Sequence, residues 1–271
     1  MAKDKKIRIG IIGCGCIGSA VARFVVQEMS ASMTLEGIYD LEPARIEKVS
    51  RLLKRKIRMC TSIDAVIRCS DVVIEAASGT IVAEVVGKCI NAGKDVVAVS
   101  VGGLLGKEAL FKKAQQRKVH VYMPSGAICG IDALSAFPVK SIRKLTLTTT
   151  KSPLSLADID GVSEHSKEQL LGPKVIFHGS ARAAIKQFPK NINVSALLVL
   201  ASGYKNVRVC IKEDPAIHRN IHDIVLESTL GSVHIRVENI PSPDNPRTSY
   251  LTILSVQNLL RKLVSYVRIG S

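Results

Sequence analysis

The sequence predicts an α/β protein, with a doubly wound parallel sheet in its N-terminal half and a smaller α+β domain after it. Three observations carry this reading. Short apolar runs alternate with helical stretches as far as about residue 126. The first of these runs ends in a glycine-spaced turn, G-C-G-C-I-G at residues 13–18. Beyond about residue 140 the pattern changes to alternating segments rich in Val, Ile and Thr, which suit half-buried strands.

Taken in order, residues 7–12 (IRIGII) are an apolar run that suits a strand buried on both faces. Gly13, Gly15 and Gly18 follow at once, and residues 19–29 read as a helix. In that setting Gly13 permits a tight turn, Gly15 lets backbone N–H groups approach a pyrophosphate, and Gly18 lets the helix pack close on its strand. The helix N-terminus adds N–H donors and the positive end of its dipole. Gly13, Gly15, Cys16, Ile17 and Gly18 are therefore the expected cofactor-binding residues of a Rossmann-type turn. A second apolar run ends in Asp40, twenty-two residues after Gly18, where a carboxylate would accept hydrogen bonds from an adenosine ribose. An acid there favours NAD over NADP, because a 2′-phosphate would meet a like charge. Asp40 also suits a cap for a helix beginning near Pro43.

Residues 71–78 (DVVIEAAS) and 95–102 (DVVAVSVG) read as the next strands, with helical stretches at 81–91 and 107–117. Residues 119–126 (VHVYMPSG) read as one more strand, opening into a Gly- and Ser-rich turn. Ligands of such sheets bind at the carboxyl ends of the strands, which brings Ala77, Ser78, Gly79, Ser100, Gly102, Gly103, Ser125 and Gly126 near the cofactor.

The bulk properties exclude several other classes. Hydrophobic residues make up 46% and charged residues 23% of 271, an ordinary globular composition with length for two moderate cores. No run approaches the roughly 18 apolar residues of a membrane span, and the charged start is no signal peptide, so a soluble cytoplasmic protein without a membrane partner is expected. The seven scattered cysteines suggest reduced thiols rather than a disulfide framework. Cys14 and Cys16 form a C-x-C pair, but no second pair with ligand spacing exists, so no metal is expected. The net charge of +15 raises the question of nucleic acid. Basic residues are nevertheless spread along the chain, aromatics are 4% and Trp is absent, so no nucleic-acid partner is expected. The one dense run, residues 51–58 (RLLKRKIR), fits the exposed end of a helix, and the positive field would attract a dianionic substrate and cofactor.

In the C-terminal part, residues 144–153, 174–180, 207–214, 223–231 and 232–241 read as strands packed by two or three helices. Residues 248–267 have helical spacing and basic residues toward their end, which predicts a final helix able to return to the first domain. The expected boundaries are 1–138 for the dinucleotide-binding domain, 139–246 for the α+β catalytic domain and 247–271 for the last helix.

Four blocks are more specific than the glycine loop: residues 123–134 (MPSGAICGIDAL), 179–201 (GSARAAIKQFPKNINVSALLVLA), 220–224 (NIHDI) and 240–256 (IPSPDNPRTSYLTILSV). With them the chain resembles the L-aspartate dehydrogenase family nearly end to end. The resemblance implies a Rossmann domain followed by a catalytic domain, and oxidation of L-aspartate to iminoaspartate with reduction of NAD or NADP. The imine then hydrolyses to oxaloacetate and ammonia or feeds quinolinate, hence NAD, synthesis. It also implies that Ala127 and Asn193 contact the nicotinamide cofactor and that His222 is the catalytic histidine; the assembly expected is a homodimer. The family more often has glutamate where Asp223 follows that histidine. Its members use both cofactors, which weakens the preference drawn from Asp40.

The chemistry can be argued from the residues as well. Taking a hydride from the α-carbon of an amino acid requires a neutral amine, and a base poised near neutrality helps, which suits histidine's unperturbed pKa of about 6.5. Of six histidines, His222 lies in the polar cluster H-R-N-I-H-D, where His218, Arg219 and Asn220 could orient it or the substrate. His218 is its competitor, since one helical turn would place both on one face. A dicarboxylate also needs cations, and Lys190, Lys205, Arg219 and Arg247 all flank the specific blocks. Two rival functions stay open: a non-catalytic dinucleotide sensor, and a related two-domain oxidoreductase acting on an aldehyde through a thiolate. Cys129 is the cysteine suitably placed for the latter, but its apolar neighbours and lack of an adjacent base make it helix packing instead.

Overall fold

Two five-stranded sheets organise the chain, each in its own unit: Met1–Pro124 with Ile253–Ile269, and Ser125–Thr252 with Gly270–Ser271. The computed structural model describes residues 5–54, 56–156, 172–188, 193–267 and 269–270. The second unit starts at Ser125 rather than at the expected residue 139, and within it Asn239 Nδ2 donates to the Ala127 carbonyl at 2.8 Å.

In the first unit the strands are β1 (Ile7–Ile12), β2 (Met33–Tyr39), β3 (Val72–Glu75), β4 (Asp95–Ala98) and β5 (Val121–Tyr122). All pair in parallel in the order β2-β1-β3-β4-β5. The order reverses direction between β1 and β3, so the carboxyl ends of those two strands open the crevice in which ligands of such sheets bind. Helices α1 (Cys16–Gln27), α2 (Pro43–Leu53), α3 (Ile63–Cys69), α4 (Val82–Ala92) and α5 (Glu108–Arg117) connect them. Pro43 opens α2 with its φ already helical, Ser62 caps α3 by accepting from the Ala65 N–H, and Gly93 closes α4 at φ +65°. Ile9, Ile11, Val21, Phe24 and Ile74 are essentially fully buried in one core, where each large side chain contributes about 1.5–3 kcal/mol.

Several predicted elements shift. The first helix begins at Cys16 rather than residue 19, so Cys16, Ile17 and Gly18 form its first turn. β3 and β4 are four residues each, and the second half of the 95–102 run turns into a 3₁₀ segment, Val101–Leu104. Helix α3 was not legible at all.

In the second unit α6 (Ile131–Ala136) leads to β6 (Ile142–Lys151), then α7 (Pro153–Leu156), β7 (Lys174–Ser180), α8 (Ala181–Gln187), α9 (Asn193–Ser202) and β8 (Arg208–Glu213). β9 (Asn220–Ser228) and β10 (Gly231–Asn239) form a hairpin, β11 (Pro241–Ser242) pairs with β12 (Asn245–Ser249), and α10 (Tyr250–Val264) follows. The large sheet is mixed, in the order β10-β9-β6-β8-β7, with β6 parallel to β8 and antiparallel to β9. Helix α10 leaves this unit within its first turn. From Ile253 it belongs to the first unit, where Val256 and Leu260 join the core and Arg261 pairs with Glu28 at 3.0 Å. Among the described residues no helix is long and apolar enough to cross a membrane.

Candidate functional site

The glycine loop sits at the end of β1, beside the end of β3. The Gly13 N–H donates to the Tyr39 carbonyl at 2.8 Å, and the Ala76 N–H donates to the Ile12 carbonyl at 2.8 Å. Gly13 has φ +95°, and a Cβ on it would stand 2.6 Å from the Ala76 carbonyl, so no other residue fits. At Gly18 a Cβ would run into the carbonyl oxygen of Gly13. Gly15 differs from both: a Cβ there would meet nothing within 4 Å. It is also the N-cap of α1, where no side chain supplies a cap. The first two glycines named are needed by the fold, whereas Gly15 leaves open the approach to a helix N-terminus, the cradle a pyrophosphate requires.

Asp40 braces this loop. One carboxylate oxygen accepts from the Cys14 N–H at 2.7 Å, the other from the Glu42 N–H at 2.9 Å. It thus ties the glycine loop to the entry of α2; the N-cap there is Glu42 and no side chain caps the helix, so Asp40 is a brace rather than the expected cap. Cys14 is buried, and burial first, then the Asp40 charge, push its thiol up to about 12. Both causes disfavour the thiolate, the form that would ligate a metal or attack an electrophile. Among the described residues no three His, Cys, Asp or Glu side chains gather in a group able to hold a metal ion.

Ala77, Ser78 and Ser100 are positioned by a residue that sequence reasoning missed, Glu75. Its side chain is 0% exposed, and its carboxylate accepts from the Ala77 N–H at 2.9 Å, the Ser100 N–H at 3.0 Å and the Ser100 hydroxyl at 2.9 Å. Burial raises its pKa, and those donors together with the Ser78 N–H work in the opposite direction. The signal was present as one acid at the end of an apolar run. Gly103 has a packing reason, since a Cβ on it would strike Gly79 and Val82, whereas a Cβ on Gly79 would make only ordinary contact with Gly103.

The second unit holds His222, on β9 and 5% exposed. Its Nδ1 lies 3.0 Å from Thr149 Oγ1, directly across the ladder on β6. Burial first, then the nearby Lys151 charge, lower its pKa to about 3. The expectation of a base already poised near neutrality is thus corrected: the imidazole is firmly neutral, and its affinity for a proton depends on what neutralises its surroundings. The helical turn that would pair it with His218 is corrected as well. Residues 220–228 form a strand, and His218 and Arg219 lie in the exposed bend before it. In a strand the same-face neighbour is two residues away, which makes Asn220 the companion of His222. Asp223 points to the other face and pairs with Arg236 of β10 at 3.0 Å.

Of the cations proposed for carboxylates, Lys205 and Arg219 are exposed, while Lys190 and the Arg247 side chain lie outside the described residues. The cation beside His222 is instead Lys151, 8% exposed, whose amine burial lowers to about 8. Strand parity could have found it, since Lys151 falls in step with the buried Leu145, Leu147 and Thr149. Ala127 is half-buried and Asn193, the first residue of α9, is exposed. Cys129 is exposed in a loop before α6, which corrects its reading as helix packing.

The comparisons with known proteins agree along the chain. The family model described as the C-terminal part of aspartate dehydrogenase matches residues 132–263, and the one described as the NAD binding domain of homoserine dehydrogenase matches residues 13–124. An L-aspartate dehydrogenase of Methanosarcina acetivorans is 38% identical over 271 residues, with 98% of this chain and 100% of that protein covered. Its counterpart in Methanosarcina barkeri is 36% identical with the same coverage. Among solved structures, the aspartate dehydrogenase of Thermotoga maritima gives a TM-score of 0.75 at 28% identity, covering 98% of this chain and 100% of that one.

Proposed function

The chain belongs to the L-aspartate dehydrogenase family, and on that premise we propose that it oxidises L-aspartate to iminoaspartate while reducing NAD or NADP, the imine then hydrolysing to oxaloacetate and ammonia. The observation among its own residues that carries this reading is His222, a buried neutral imidazole held by Thr149 at 3.0 Å. In the tautomer that donates Nδ1–H to Thr149, Nε2 keeps its lone pair and serves as base. Its task is to take a proton from the substrate ammonium, so that the nitrogen lone pair can form the C=N bond as hydride departs.

A bound nicotinamide supplies the hydride acceptor. Gly13, Gly15 and the first turn of α1, with Cys16, Ile17 and Gly18, would hold the pyrophosphate, and Asp40 the adenosine ribose. Glu75 sets Ala77, Ser78 and Ser100 beside them, and family resemblance supports Ala127 and Asn193 as further contacts. The free thiols support a cytoplasmic setting, a homodimer is the assembly we expect, and release of the imine toward quinolinate would link the reaction to NAD synthesis.

The test is reduction of NAD and NADP by the purified protein offered L-aspartate, L-glutamate, L-alanine or L-malate. Turnover confined to L-aspartate is expected. Intact NADH binding with no turnover on any of the four would overturn the proposal in favour of a dinucleotide sensor.

A further inference from the structure

The buried face of the second sheet changes character from one end to the other. Down β6 it runs Leu145, Leu147, Thr149, Lys151; level with these on β9 stand Leu226, Ile224 and His222. Continuing the register past Thr150 and Ile221 puts Lys151 level with Asn220. On β8 the same face runs Val209, Ile211, Glu213, with Glu213 paired to Lys151, and on β10 Asn239 pairs with Asn220. Each of Thr149, Lys151, Glu213, Asn220, His222 and Asn239 is less than a tenth exposed. Oδ1 of Asn220, a residue 4% exposed, is fully buried and has no hydrogen-bond partner. A buried acceptor left without a donor loses its hydration and regains nothing, so a fold selected only for stability would not keep it.

We propose that Lys151 and Asn220 form the amino-acid recognition site beside His222, Lys151 taking a carboxylate of the substrate and Asn220 Oδ1 accepting an N–H of its α-amine. The inference rests on the reading of the chain as an aspartate-oxidising enzyme, and it names residues that reading left open. A dicarboxylate amino acid presents an anion and a donor two or three bonds apart. The row presents the complementary pair, a buried amine and an unsatisfied acceptor, on neighbouring strands. Occupancy also changes His222. A carboxylate on Lys151 offsets the positive charge that depresses the imidazole, so the base gains proton affinity when substrate is present.

The variants are Lys151→Met and Asn220→Ala, each measured for NADH affinity, KM for L-aspartate, and binding of succinate to protein saturated with NADH. Succinate carries both carboxylates and lacks the amine. Lys151→Met removes a desolvated amine while keeping the stem, so it is expected to fold. It should weaken succinate and raise KM for L-aspartate tenfold or more, with NADH affinity unchanged. Asn220→Ala should raise KM for L-aspartate and leave succinate binding alone. Parental succinate affinity and KM in a folded Lys151→Met protein would overturn the inference while the parent still oxidises L-aspartate. Loss of aspartate oxidation by the parent itself would sink the underlying reading instead.

A measurement on the parent alone guards against misfolded variants. Among the described residues, the charged and titratable groups sharing this face are the Glu213 carboxyl of β8 and the His222 imidazole of β9. Succinate affinity should fall as pH rises past about 8, where Lys151 loses its proton. Constant affinity from about pH 7 to 9.5 would overturn the proposal.

Discussion

Replacing Gly15 by alanine separates what the glycine loop does for the fold from what it does for a ligand. Gly15 sits at φ −71°, ψ −161°, an extended conformation alanine adopts readily, and its added Cβ meets nothing within 4 Å. The folded state therefore bears no new strain, and the stiffer unfolded chain makes the variant about 0.4–1 kcal/mol more stable. That holds Tm or raises it by about 1–4 °C. With a dinucleotide in place the same methyl stands where backbone N–H groups approach the pyrophosphate. Loss of one charge-assisted hydrogen bond, about 1.5–3 kcal/mol, weakens NADH roughly 10- to 150-fold. Gly18→Ala is the control with the opposite profile. Its Cβ collides with the Gly13 carbonyl, an overpacking of about 1–3 kcal/mol, so Tm falls even without nucleotide. The assays are thermal unfolding of the nucleotide-free proteins and fluorescence titration with NADH. Parental NADH affinity in Gly15→Ala would refute the placement of the pyrophosphate against this loop, whatever the thermal result.

Three further substitutions test the remaining groups. His222→Ala should lose turnover by roughly 10²- to 10⁴-fold while binding NADH like the parent; parental turnover there, with His218→Ala inactive, would move the base to His218. Asp40→Ala should weaken NAD more than NADP in paired titrations, and equal weakening would leave Asp40 only its brace between Cys14 and Glu42. Glu75→Gln sets an amide NH₂ against the Ser100 N–H or the Ala77 N–H, a loss of about 1–3 kcal/mol seen as a Tm lower by several degrees. Because burial raises the Glu75 pKa in the folded protein, the folded state holds the extra proton, and the stability this group contributes declines as pH rises from about 4 through that raised value. The Tm deficit of Glu75→Gln is therefore largest at low pH and narrows as pH rises through that raised value; a constant deficit would assign the loss to packing.

The first sheet was legible because each of its determinants is local. Residues 7–12 announce a buried strand by composition, Gly13 and Gly18 answer to backbone geometry within one turn, and Asp40 follows directly on the next strand. What escaped were features fixed by partners distant in sequence. Glu75 acts through Ser100, twenty-five residues on, and nothing in DVVIEAAS says which amides will face it. The spacing of four between His218 and His222 suits a helix, in which the two would be neighbours. Pairing with β6 and β10 makes the segment a strand and substitutes Asn220.

Lys151 shows why such a site is hard to read. By sequence it is the last letter of a Thr-rich run and one of 38 basic residues, indistinguishable from a solvated charge. Its meaning comes from parity along β6 combined with the register that sets Glu213 and Asn220 on either side. The apolar end of that face, Leu145 with Leu226 and Leu147 with Ile224, helps to hold β6 and β9 in register. A sheet built for stability alone would continue it, gaining about 1.5–3 kcal/mol for each further buried aliphatic side chain. The chain instead spends two turns of the pleat on Thr149, Lys151, His222 and Asn220. Asn220 Oδ1, a buried acceptor without a partner at the polar end of this face, is accounted for by a ligand that donates to it, and an amino acid with a second carboxylate brings both that donor and an anion for Lys151.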